Sequence, residues 1–182
     1  MVWTLKSGVP ILFRNPEFKG ETQMSQVSKP SHLLTRLDQV TIVPASTAPF
    51  IVNDHFRVDT RPDIAVPISS MDENFERSFL GKVEELMAET KLRPRRASRI
   101  GKYDQILKAL GGENLAKITL REMHHYLKLA DRRESYLFCL ESGGVNSSLR
   151  LADAGWGDDG WDLRSPYWLD GCGPNELLVA RD

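Results

Sequence analysis

Little in this chain announces a chemistry, and each scarcity excludes something. Its 182 residues include two cysteines, too few for a disulfide framework. Cys139 lies in the apolar run 135–140 and Cys172 between two glycines, so both are expected as unpaired, reduced thiols of a cytoplasmic protein. No apolar run approaches the ~18 residues that a membrane helix needs. Lys6 precedes only the short stretch 9–13, with no small-residue cleavage site, which gives no export signal to read. Met24-Ser25-Gln26 is an alternative start, and residues 1–23 would then be an extension. With 24 basic and 25 acidic side chains, no global field favours nucleic acid or an anionic membrane.

Recognised catalytic patterns are missing too. The chain has no Walker loop, no Gly-x-Gly-x-x-Gly, no Gly-x-Ser-x-Gly and no His-Glu-x-x-His. Four histidines are present, none beyond His125. Asn146-Ser147-Ser148 fits a glycosylation acceptor, which carries no meaning without export.

What is there is the composition of a globular protein, 41% hydrophobic and 27% charged. Residues 2–14 pattern as a hairpin and residues 15–31 as loop. Residues 40–43, 50–58 and 64–68 read as strands, the second because Val52, Phe56 and Val58 share one parity. Ser70 to Glu73 has capping-box spacing. Phe75, Phe79, Val83, Leu86 and Met87 then fall on one helical stripe, predicting an amphipathic helix over 71–90. Residues 91–102 hold six cations and no acid, with Pro94 blocking any helix.

A helix with Ile100, Tyr103, Ile106, Leu107 and Leu110 inward should follow, closed by Gly111-Gly112. A second opens at the capping box Thr119-Leu120-Arg121-Glu122 and buries Leu120, Met123, Leu127 and Ala130. Beyond Asp131 the pattern alternates, predicting strands over 135–141, 146–152, 160–163 and 177–180, with reversals at Gly143-Gly144 and Asp159-Gly160. The expected fold is α+β: N-terminal strands plus a long amphipathic helix, then two short helices packed on a C-terminal antiparallel β-meander. The basic segment divides it at 1–92 and 93–182, unless the chain is one continuous domain.

Candidate sites are weighed by geometry. His124-His125 is a poor metal pair, because adjacent helix positions point about 100° apart while ligands usually sit three or four apart. Asp54-His55 in a strand would point to opposite faces. The late acids Asp158, Asp159, Asp162 and Asp170 cluster around glycines without EF-hand spacing. Trp156, Trp161, Tyr167 and Trp168 make the same region aromatic, either as a partner surface or as a core seam. Arg93, Arg95, Arg96 and Arg99 form the candidate basic patch, expected to be a solvated linker with weak, salt-sensitive affinity for nucleic acid. Arg95-Arg96-Ala97-Ser98 also fits a basic-directed phosphorylation site. Residues 153–182 carry seven carboxylates against two arginines, an opposed acidic patch.

Leu110-Gly111-Gly112-Glu113, Ala116, Thr119-Leu120, Glu122-Met123, Trp156 and Gly160-Trp161 together resemble a group of uncharacterised bacterial hypothetical proteins. The resemblance spans residues 70–182 and departs at the tail 177–182. It implies architecture and carries no activity. The functional expectation is therefore a non-catalytic binding module using the aromatic and acidic surface at 153–172, with no cofactor or metal, no membrane partner, and another protein as the partner to consider. The alternatives are a hydrolase built on Asp158, Asp159 and Asp162, and a nucleic-acid accessory protein acting through 91–102.

Overall fold

A computed structural model describes residues 32–143, 147–166 and 173–182. In chain order the elements are β1 (Leu34–Arg36), β2 (Thr41–Val43), β3 (Phe50–Ile51), α1 (Val52–His55), β4 (Ile68–Met71), α2 (Glu73–Phe79), β5 (Val83–Glu84) and β6 (Thr90–Ala97). They continue with α3 (Tyr103–Leu110), α4 (Glu113–Ala116), β7 (Lys117–Ile118), α5 (Leu120–Leu129), β8 (Tyr136–Glu141), β9 (Leu149–Trp156), β10 (Trp161–Arg164) and β11 (Leu177–Arg181). The expected hairpin over 2–14 and loop over 15–31 lie outside the described residues, as do Gly144, Asn146, Tyr167, Trp168, Asp170 and Cys172.

The architecture corrects the expected fold. In place of a long helix and a small meander, nine strands form one mixed sheet in the order β1-β6-β11-β8-β9-β10-β4, with β2 beside β6 and β7 beside β8. Of the strands expected in the meander, β8, β9 and β10 do pair antiparallel in that order. However, β11 runs parallel to β8 and antiparallel to β6. The helices do not share one side. Met123, Tyr126 and Leu127 of α5 pack with Phe75 and Phe79 of α2 against Phe138, Leu163, Leu177 and Val179. Ile106 and Leu110 of α3 and Ala116 of α4 pack against Ala97, Leu137, Cys139, Leu151, Leu178 and Ala180. Alternate residues of each strand thus feed opposite cores. Cys139 lies free in the second core, where burial pushes its thiol up to about 12.

The segment read as a basic linker is β6, an interior strand. Its arginines are consumed inside the fold. Arg93 donates to Asp182 at 2.8 and 3.1 Å, Arg95 to the Ala109 carbonyl at 3.0 Å at the C-terminal end of α3, and Arg96 to Glu134 at 2.9 Å. Arg99 lies beyond the strand and is exposed. Pro94 fits because of register. Its carbonyl accepts from Leu37 N at 3.1 Å, so its missing N–H would point to the same side, opposite β11. There it falls between the residues paired with β1 and those paired with β2. The proline therefore removes no bond of the β6–β11 ladder.

The predicted helix over 71–90 stops at Phe79. Asp72, not Ser70, is its N-cap, accepting from Phe75 N at 2.6 Å. Leu80 is extended and Gly81 takes φ +78°, which glycine adopts without steric cost. Asn53 Oδ1 then accepts from Gly81 N at 2.7 Å. Beyond the turn, Val83 pairs with Ile51 in the β3–β5 ribbon and is exposed, as is Leu86. The strand read over 50–58 is likewise broken: β3 is two residues long and α1 follows. Val52 and Phe56 are four apart, so they satisfy a helical face as well as a strand parity, and both are buried; Val58 is exposed. Instead of spanning 64–68, the next strand is Ile68–Met71. It runs parallel to β10, where a Cβ at Gly160 would stand 2.7 Å from Ser69 N. Only glycine admits that approach.

The helix α5 starts as expected. Thr119 Oγ1 accepts from Glu122 N, and Glu122 Oε2 accepts from Thr119 N at 2.7 Å. Glu122 is fully buried and also receives Thr90 Oγ1 at 2.8 Å and both Nε and an Nη of Arg181 at 2.9 and 2.8 Å. Glu84 adds a second carboxylate at the same end, accepting from Leu120 N at 2.7 Å and Arg121 N at 2.8 Å. This anchoring fixes the turn of α5 that carries Arg121, His124 and His125.

Candidate ligand-binding cleft

The late aromatic and acidic residues do not converge. Trp161 is a core residue, 1% exposed, packed edge-on against Trp156 at 5.2 Å and Tyr136 at 6.1 Å. Trp156 is half-buried and lies under the Arg132 guanidinium, 4.1 Å from the ring centre. Asp162 receives the hydroxyls of Ser69 and Ser70 at 2.6 and 2.7 Å, which hold its carboxyl below the usual range. Asp158 and Asp159 face solvent. Thus only Trp156, Asp158 and Asp159 of the described members are open to a partner, and Asp162 is occupied by its serines. Arg93, Arg95 and Arg96 of the basic patch are spent on internal partners.

What the fold does bring together is three of the four histidines. His55 ends α1, and His124 and His125 sit on α5, almost seventy residues later in the chain. They border a cleft of about 330 Å³ lined also by Val43, Pro44, Phe50 and Arg121. Its outer wall is the 44–49 segment, pinned by Ser46 N to the Met87 carbonyl at 2.9 Å and by Met87 N to Ser46 Oγ at 2.7 Å. A smaller recess of about 150 Å³ adjoins it behind His55 and His124, bordered by Asp54, Arg57 and Asp59.

The rings form a stacked assembly. His55 lies parallel to Phe50 with centres 4.2 Å apart and an interplanar angle of 5°. His124 sits 5.0 Å from His55, 5.9 Å from Phe50 and 5.8 Å from Phe56. Burial is the main reason His124 is held down to about 4, with His55, Lys128 and His125 adding to it. Burial also lowers His55, against the pull of Asp54, and lowers His125, which hydrogen-bonds the Ile42 backbone. At neutral pH His124 is therefore uncharged, and burial favours the neutral form of the other two imidazoles. Arg121 is the fixed charge of the lining, its guanidinium steadied by the Ala48 carbonyl at 3.2 Å.

No family model, curated protein or solved structure matches this chain. The site's chemistry must come from its own geometry. No group of three or more His, Cys, Asp or Glu side chains is arranged to hold a metal among the described residues. The residues lining the larger cleft include one hydroxyl, Thr47, but no cysteine, serine or carboxylate, so the lining itself holds no complete nucleophile–base–carboxylate relay. What remains is a concave surface with neutral ring donors and acceptors, one cation and an aromatic floor. That is a lining suited to holding a ligand.

The sequence conceals this site for a specific reason. His124-His125 offers only itself as a local pair, and the parity of 50–58 reads Asp54-His55 as part of a strand. The missed signal is the four-residue spacing of Val52 and Phe56, which puts His55 at the end of a helical turn. Among the described residues no helix is long and apolar enough to cross a membrane.

Proposed function

We propose that this chain is a binding protein that takes a small molecule in the cleft between the 44–50 segment and α5. The observation that carries the reading is the convergence of His55, His124 and His125 with Arg121 around one concavity. These are costly residues to place together, since burial opposes charge on each imidazole. Their rings are held by aromatic packing and not by carboxylates, which favours recognition over proton relay. The expectation of a binding module is thereby kept and its site is moved from the 153–172 surface to the cleft. A secondary surface for a protein partner stays at Trp156, where a half-buried indole under Arg132 adjoins the exposed Asp158 and Asp159.

Ring resonances of the histidines test this directly. A fragment mixture containing neutral, anionic and cationic members is titrated into labelled protein. Saturable shifts confined to His55, His124 and His125 are expected, and they should be lost in His124→Phe if that variant keeps its circular dichroism. Shifts centred on Trp156, or none at any histidine, would overturn the assignment.

A further inference from the structure

We infer that the ligand of this cleft carries a compact anionic group, a carboxylate or a phosphate, that docks on Arg121 and is flanked by the imidazoles. This rests on the cleft being a ligand site, and it adds the ligand's charge. Arg61, Arg93, Arg96, Arg133 and Arg181 each meet a carboxylate within 3 Å. Arg95 and Arg121 meet none among the described residues; Arg95 is buried against the Ala109 carbonyl, whereas Arg121 is half-buried at the cleft lining. Its guanidinium donates to one carbonyl, that of Ala48, which steadies it without neutralising it. A partly desolvated cation with fixed orientation and no counter-charge is a ready receptor for a planar or tetrahedral anion, which it can grip through paired N–H donors.

The surroundings agree in sign. From α1, Asp54 faces His55, as does Arg57 just beyond the helix; from α5, Arg121 and Lys128 face the histidines. With Arg57 shared with Asp59, Asp54 stands against Arg121 and Lys128. Asp59, in the adjoining recess, is already held by Arg61 at 2.8 Å and approached by Arg57 at 3.8 Å. The aromatic floor of Phe50 and His55 gives the remainder of the ligand a flat apolar surface.

Proton linkage follows from this geometry. In the free cleft burial and neighbouring cations oppose charge on the imidazoles, most of all on His124. A bound anion supplies the missing opposite charge and raises their affinity for protons, so binding takes up protons and tightens as pH falls.

The test uses sulfate, whose charge is constant over the range, with benzoate and its uncharged counterpart benzamide, read by histidine ring shifts at about pH 6 and about pH 8. Sulfate and benzoate are expected to bind at least about tenfold more tightly than benzamide, and about tenfold more tightly at the lower pH, the size of one interaction of ~1.4 kcal/mol. Arg121→Gln should remove saturable binding of both anions, and Arg121→Lys should retain part of it; circular dichroism verifies that both fold. If benzamide matches benzoate at the histidines, or Arg121→Gln binds sulfate unchanged, the anion assignment falls while the cleft stands. If no probe or fragment reaches the histidines, the cleft itself is not a ligand site and both readings fail.

Discussion

At the scale of single residues, Phe79 shows how much one side chain of a short helix can carry. It is fully buried, meets Phe75 edge-on at 5.0 Å, and belongs to the core shared by α2, α5 and the sheet. Phe79→Ala deletes a ring from a closed interior, where such truncations cost about 3 to 5 kcal/mol. Urea denaturation should show the unfolding free energy falling by that amount, through a lower midpoint with little change in slope; an unshifted midpoint would contradict the packing. Val83, which the helical pattern placed on the same stripe, is 59% exposed. Val83→Ala should change stability by no more than about 0.5 kcal/mol, as surface substitutions do. The contrast between two members of one predicted stripe locates the end of the helix more sharply than either alone.

At the scale of elements, the N-terminus of α5 offers a measurable redundancy. Thr119 and Glu84 supply acceptors to three successive backbone N–H groups, Leu120, Arg121 and Glu122. Thr119→Ala should cost about 1 kcal/mol, as N-cap losses do. Glu84→Gln keeps an acceptor and removes the charge whose burial raises the Glu84 carboxyl. The double variant should depart from the sum of the two, because both groups serve one helix end. Strict additivity in chemical denaturation would show that they act separately. This start was readable in the sequence, because a capping box is a local signal whose partners lie three residues apart. So were the glycine end of α3 and, to within a few residues, the strands β8 to β10, whose apolar patterning is local too. The mistaken elements share another property: their cause is distant. The fate of α2 after Phe79 depends on Asn53 and on β3, and β6 is a strand because its arginines find Asp182, Glu134 and the end of α3. A run of six cations reads as solvated until those partners are known. The histidine cleft was hidden for the same reason, since α1 and α5 meet only in three dimensions.

At the scale of the whole molecule, the stacked rings between α1 and α5 make stability depend on acidity. His124 is held down to about 4 from an ordinary 6.5, chiefly by burial. Above about pH 6.5 the imidazole is neutral in both folded and unfolded chains, and contributes no pH dependence. Below that, the unfolded chain gains a proton that the folded one refuses until about pH 4, so stability falls as pH falls across this window. The full loss for such a displacement is roughly 3 kcal/mol. Glu84 and Asp153 oppose it, because burial raises both carboxyls and the folded chain then binds their protons more readily. Comparing the wild type with His124→Gln separates the contributions, since the carboxyls are common to both. Urea midpoints measured from about pH 7 to about pH 4.5 should fall more steeply for the wild type than for the variant. Parallel curves would mean that His124 titrates like a solvated imidazole. Sulfate should reduce the wild-type slope if the cleft binds it, because an anion at Arg121 lets the folded state accept the proton that burial otherwise denies.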